Sequence, residues 1–140
     1  GLHIVIPLGP GATYETGRLL TQLVAALVQR RHRARTTLER SLKKRPPDKV
    51  YLDCFQNESG KTIASVYSVR PRPGAPVSTP LRWDELDADL DPLDFRVRDV
   101  FDRFQSVGDL WAPARTRVNR VEEVIERLET SAGTPSRTLS

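Results

Sequence analysis

Between residues 51 and 72, YLDCFQNESGKTIASVYSVRPR, a single carboxylate stands inside an apolar run and basic groups gather at the ends of the next one. Val50, Tyr51 and Leu52 precede Asp53, and Cys54 and Phe55 follow it. Taking even an uncharged polar group out of water without a partner costs on the order of 2–7 kcal/mol, so a carboxylate in such a strand calls for a basic side chain, several backbone amides or a metal ion. The second run, 62–69, starts after Lys61 and ends in Arg70-Pro71-Arg72. A strand carboxylate with basic groups on the neighbouring strand could hold a metal ion and an anion side by side. The plainer alternative is a structural ion pair between Asp53 and an arginine.

The elements that must position these groups follow from pattern. Residues 2–8 (LHIVIPL), bounded by Gly9-Pro10-Gly11, have the β-branched content of a buried strand. Thr13 is a helix cap, and Leu19, Leu20, Leu23, Val24, Leu27 and Val28 give a helix over 13–31 one apolar face. A short second helix is expected over 34–45, capped by Thr36 and stopped by Pro46-Pro47. Strands are expected at 49–55 and 62–69, joined by residues 56–61 as an antiparallel hairpin. Four prolines make 71–80 an irregular loop. Beyond it come a helical turn at 83–86, an extended piece at 94–98, a short helix at 99–106 and a helix at 118–128. The aromatic side chains Tyr51, Phe55, Tyr67 and Trp83 fit strand burial.

The chain has 140 residues, 38% hydrophobic and 29% charged, which suits a folded domain with its own core. No apolar run approaches the ~20 residues of a membrane helix, and no charged leader precedes an apolar stretch, so a cytoplasmic protein is expected. Cys54, the one cysteine, excludes an internal disulfide and reads as a small buried hydrophobe. Charge is unevenly spread. Residues 30–45 carry eight Lys/Arg against Glu39 alone, a block suited to nucleic acid or polyphosphate. Residues 83–109 carry nine Asp/Glu against three arginines. Asp89 and Asp91 have a metal-like spacing, but with no apolar strand around them a solvated turn is the better reading.

Gly1-Leu2-His3 opening a strand, Leu52-Asp53-Cys54 within one, and Tyr67-Ser68-Val69-Arg70 ending its partner together resemble the archaeo-eukaryotic primase superfamily. In particular they are similar to the polymerase domain of bacterial ligase D, the end-joining repair enzyme, and its stand-alone relatives. The block YLDCFQNESGKTIASVYSVRPRPGAPVSTPLRWDEL carries the most specific part of the likeness. It covers 1–112, the C-terminal half of such a domain; 113–130 then reads as a helical extension and 131–140 as a disordered tail.

The resemblance implies an α/β fold: a small mixed or antiparallel sheet flanked by helices, part of a primase-type catalytic core. It implies that Asp53 is a catalytic metal ligand, the third carboxylate of a two-metal Mg²⁺ or Mn²⁺ centre. His3 and Arg70 would bind the phosphates of an incoming nucleotide, and Arg45 falls near a basic family position facing phosphate. The implied partners are DNA ends, NTPs or dNTPs, a ligase and end-binding repair proteins, in a bacterial nucleoid-associated setting without a membrane. The family's DhD carboxylate pair would lie upstream of Gly1, and Asp89 and Asp91, downstream of Asp53, do not replace it. The expectation is therefore a repair nucleotidyltransferase by descent, inactive as this piece. The rival expectation is a non-catalytic nucleic-acid-binding module derived from it.

Overall fold

Thr13 does what its position suggests in the computed structural model, which describes residues 1–133: its Oγ1 accepts from the Thr16 N–H at 3.1 Å and opens helix α1 (Tyr14–Arg31). The chain folds as two units. The first joins Gly1–Thr62 to the segment from Val118 onward, and the second is Ile63–Arg117. The class is mixed α/β, with a small open sheet and helices beside it.

In the first unit α1 buries Leu20 and Ala25, while Leu19 and Val28 stay exposed. Helix α4 (Val121–Gly133) packs on α1 and buries Val121, with Val124, Ile125 and Leu128 half-buried. The remaining stretch, 134–140, lies outside the described residues, as does most of the tail expected over 131–140. Residues 2–8 do not form the expected strand. Only Leu8 finds a ladder partner, a parallel bridge to Asn119, and Leu2, Ile4, Val5 and Ile6 remain exposed. β-structure needs a neighbour to satisfy its backbone, and sequence pattern supplies none. At the bridge, Gly9 N–H donates to the Asn119 carbonyl at 3.1 Å, and a Cβ on Gly9 would stand 2.8 Å from Val118 Cγ1.

The sheet consists of two short parallel strands, β1 (Thr36–Thr37) and β2 (Val50–Tyr51), in register Thr36 to Val50 and Thr37 to Tyr51. This replaces both the helix expected over 34–45 and the hairpin expected between 49–55 and 62–69. Thr36 does not cap a new helix, because its hydroxyl donates backwards to the His32 carbonyl at the end of α1 (2.9 Å). Both threonines are buried, and their β-branched side chains suit a strand. Parallel pairing needs a connection of a dozen or more residues, and 38–49 supplies it. Residues 56–61 form a turn, closed by Lys61 N–H to the Glu58 carbonyl (3.1 Å), but no partner strand follows.

A hairpin forms instead in the second unit, within the proline-rich segment. Val69 pairs antiparallel with Val77, and Pro76 with Arg96. Arg70 N–H donates to the Pro76 carbonyl (2.7 Å), Ser78 N–H to Ser68 (2.9 Å), Tyr67 N–H to Ser78 (2.7 Å) and Val77 N–H to Phe95 (2.7 Å). Proline lacks an N–H but keeps its carbonyl, so Pro76 can accept in this ladder. At the tip Gly74 has φ +81°, and a Cβ there would meet Leu93 Cδ2 at 2.7 Å. Gly74→Ala should therefore destabilise this unit by about 1–3 kcal/mol. Urea unfolding followed by tryptophan fluorescence would check it, since both tryptophans, Trp83 and Trp111, lie in this unit.

A 3₁₀ turn (Trp83–Glu85) occupies the expected helical turn, and a second (Pro92–Asp94) follows Asp91, whose carboxylate accepts from Leu93 N–H at 2.9 Å. Helix α2 (Val97–Val107) starts two residues before the expected 99–106, with the Asp99 carboxylate accepting from Arg96 N–H (3.2 Å). It stops at Gly108, φ +75°. A five-residue helix α3 (Ala112–Thr116), unanticipated from pattern, follows.

Candidate functional site

The exit of β2 builds the site. Tyr51 and Phe55 flank Asp53 in the sequence, and each ring carries an arginine. The Arg45 guanidinium carbon sits 3.9 Å from the Tyr51 ring centroid, and that of Arg40 sits 4.4 Å from the Phe55 centroid. Between the aromatics Cys54 is buried at 4% exposure while Asp53 is exposed, the in-and-out order of an extended chain. Burial pushes the Tyr51 hydroxyl pKa up, the Asp53 charge adds to the rise, and Arg40 and Arg45 oppose it. All three charged groups therefore act on one ring. Burial also raises the Cys54 thiol, which suits an inert core cysteine.

Asp53 differs from its expected state. Being exposed, it bears no large desolvation penalty and requires no charged partner. Its Oδ1 accepts from the Phe55 N–H (3.1 Å) and its Oδ2 from Gln56 Nε2 (3.4 Å), so the turn after β2 orients the carboxylate. The Asn57 amide bonds to the Thr21 hydroxyl and ties this turn to α1.

Arg45 is partly committed to backbone. Its Nε donates to the Glu39 carbonyl (3.1 Å) and its Nη2 to the Arg40 carbonyl (3.2 Å). His3 is exposed and makes no hydrogen bond among the described residues. Arg70 belongs to the second unit, half-buried, with its N–H in the hairpin ladder and its guanidinium in no ion pair among the described residues. Lys61 and Arg72 are exposed. The structure thus groups Asp53 with Arg45 and adds Arg40, Tyr51 and Phe55; His3 joins none of these contacts among the described residues, and Arg70 belongs to the second unit. Part of the signal for the added residues was present in the aromatics two positions either side of Asp53; Arg40 and Arg45 lie thirteen and eight residues upstream, within the basic block.

Among the described residues no group of three or more His, Cys, Asp or Glu side chains is placed to hold a metal ion. Asp53 alone does not fit a two-metal centre. The acidic stretch 84–94 is a set of local turns, with Asp87 and Asp91 accepting from nearby backbone N–H groups.

The second unit holds two strongly bonded carboxylates that pattern did not single out. The Arg103 guanidinium donates to Glu85 Oε2 at 2.6 Å, and Arg82 N–H donates to the same oxygen at 2.6 Å. The bond from Arg103 holds the Glu85 carboxyl down at a pKa of about 2, with Arg82 assisting and burial opposing. Asp109 accepts from Arg115 Nη2 (2.7 Å), from the Tyr67 hydroxyl (2.9 Å) and from Trp111 N–H (2.9 Å). Arg115 lowers its pKa most, against burial, with Tyr67 and the Trp111 amide adding. Tyr67, which also meets Phe104 edge-on at 5.8 Å, is thereby fixed three residues before Arg70.

Comparison with known proteins gives a consistent pattern. The family model described as LigD, primase-polymerase domain, matches residues 1–111. The chain is 39% identical over 109 residues to the "Bifunctional non-homologous end joining protein LigD" of Bacillus subtilis, covering 77% of this chain and 18% of that protein. It is 36% identical over 118 residues to the "Multifunctional non-homologous end joining protein LigD" of Mycolicibacterium smegmatis, covering 81% and 15%. The protein of the same description from Pseudomonas aeruginosa is 26% identical over 133 residues, covering 91% and 15%. The chain spans less than a fifth of the length of these relatives.

Proposed function

We propose, on the premise that the chain belongs to the LigD primase-polymerase domain family, that it is part of a nucleotidyltransferase of bacterial non-homologous end joining, adding NTPs or dNTPs to DNA ends. The observation that carries this is the face beside β2, an exposed, oriented carboxylate beside two ring-held guanidiniums. Guanidinium donors suit phosphate oxygens, and a carboxylate beside them suits a divalent cation bridging to those oxygens. Asp53 would hold one Mg²⁺ or Mn²⁺ against a nucleotide's phosphate oxygens, and a catalytic two-metal centre would need further carboxylates beside it. For this chain the proposal therefore stops at nucleotide and DNA binding, with polymerisation left to a completed domain. His3 and Arg70 would add phosphate contacts. DNA ends, a ligase and end-binding repair proteins would be the partners. No described helix is long and apolar enough to cross a membrane.

Calorimetry with ATP and Mn²⁺ tests the reading. Arg70→Ala and Asp53→Asn should each weaken binding about tenfold, as loss of a charge-assisted contact does. Affinity unchanged in both variants would remove the nucleotide site from these residues. The second reading, a non-catalytic nucleic-acid-binding module, is favoured by the exposed cations of 30–45. It expects DNA binding to persist in both variants without nucleotide binding.

A further inference from the structure

The two stacked arginines beside Asp53 are not equivalent. Arg45 turns its Nε and Nη2 onto the Glu39 and Arg40 carbonyls while lying over Tyr51. Its amide N–H and that of Lys44 both donate to the Ser41 carbonyl (2.9 and 3.1 Å), and Ser41 N–H donates to Glu39 Oε1 (2.8 Å). Glu39 N–H in turn donates to the Thr37 hydroxyl (3.1 Å), which anchors the loop to β1. Residues 39–45 thus form a loop whose backbone is held at several points, with Arg45 as its clasp.

Arg40 sits on that loop with different commitments. It is exposed, its guanidinium lies over the Phe55 ring at 4.4 Å, and among the described residues none of its side-chain N–H groups is donated. A guanidinium resting on a ring has lost much of its rotamer freedom before any ligand arrives, while its in-plane donors stay available. Such a group is pre-organised for a forked bond to an oxyanion. No acidic side chain among the described residues forms an ion pair with it, so its guanidinium is not committed to an internal carboxylate.

We propose that Arg40 is a phosphate-binding residue on the Asp53 face, held flat by Phe55 and presented by a loop that Arg45 clasps, and that Arg45 is a positioning residue. The ligand is a phosphate group, from a nucleotide's polyphosphate tail or from a nucleic-acid backbone. This rests on the reading of the β2 face given above and adds a ligand to it.

The test uses the whole chain and inorganic tripolyphosphate, titrated by calorimetry without divalent cation. Arg40→Ala should weaken binding about tenfold or more. Arg40→Lys should recover only part of the loss, because an ammonium lacks the fork. Phe55→Leu, which keeps every charge, should give an intermediate loss, a change that charge alone would not produce. Asp53→Asn should tighten tripolyphosphate binding under these conditions by removing a like charge. Circular dichroism and thermal midpoints check that each variant folds. Competition by ATP assigns the phosphate to a nucleotide tail, and competition by a single-stranded oligonucleotide assigns it to the backbone.

Binding within twofold of wild type in Arg40→Ala overturns the proposal and leaves the Asp53 and Arg70 reading standing. Arg40-dependent tripolyphosphate binding, with ATP and Mn²⁺ indifferent to Asp53 and Arg70, keeps this proposal and removes the nucleotide-site reading. A folded wild-type chain that binds neither tripolyphosphate nor ATP overturns both.

Discussion

Arg103→Ala should lower the stability of the Ile63–Arg117 unit by about 2 kcal/mol at pH 7, and acid should remove much of the same stabilisation from the unsubstituted chain. Arg103 and Glu85 are each 19% exposed at the side chain and meet at 2.6 Å. Arg103 also donates to the Pro80 carbonyl (3.3 Å) and lies over Phe95 at 5.5 Å, so its loss releases a carbonyl and a ring as well as a carboxylate. Glu85 is held from its ordinary 4.5 to about 2. A carboxyl held low in the folded state contributes in full above its unfolded value, and the contribution fades as pH falls through the folded one. The window is therefore pH 4.5 down to about 2. Full conversion of the shift would be about 3 kcal/mol, and solvent screening of a pair near the surface reduces it to about 1–2 kcal/mol. Asp109, lowered chiefly by Arg115, adds in the same direction below its ordinary range.

Urea unfolding at pH 7 and at pH 3, followed by the fluorescence of Trp83 and Trp111, reads this unit alone. Glu85→Gln should flatten the pH dependence. A wild-type midpoint equally high at both pH values would show that the pair contributes nothing to folding.

The parts legible in the sequence share one property: they are local. Helix α1 was readable because Thr13 and a repeat of leucines and valines lie within one continuous segment, and α2 because Val100, Phe104 and Val107 recur at helical spacing. The pairing of β2 was not readable. The run 49–55 has the composition of a strand, yet its partner is Thr36–Thr37, two residues inside a basic segment with a helical look. Strand pairing depends on which backbone is brought alongside, and composition records that poorly. The hairpin was hidden for a related reason. Prolines at 71, 73 and 76 signal irregular backbone, although a proline carbonyl remains free to accept from Arg70.

The site divides along the same line. Asp53 stood out because a charge in an apolar run is anomalous, but the reason it tolerates its place, exposure and a local turn, is a property of the folded chain. Arg40 and Arg45 looked alike as members of a charge run. Only the fold shows that one lies flat on Phe55 with its donors free and the other closes a loop. Family resemblance pointed to Asp53, His3, Arg45 and Arg70 and passed over Arg40, the stacked arginine whose side-chain donors are uncommitted among the described residues.

Removing the two stacked arginines from the basic block leaves Arg30, Arg31, Arg33, Arg35, Lys43 and Lys44, all exposed and in no ion pair among the described residues. Arg30 and Arg31 also lie in the last turn of α1, where cations complement the helix dipole, so a purely structural use accounts for part of the block. It accounts less well for Arg33 and Arg35, which lie beyond the helix. If the four arginines 30, 31, 33 and 35 each neutralise one phosphate of duplex DNA, changing all four to glutamine should reduce the salt slope of binding by about 3.6. The loss of affinity between 50 and 200 mM salt would then shrink by about a hundredfold relative to the unsubstituted chain. Fluorescence anisotropy of a labelled duplex across that range measures it. A slope that stays put while the chain remains folded would mean that these cations only solvate the end of α1, and any DNA contact would have to run through Arg40 and the face beside Asp53.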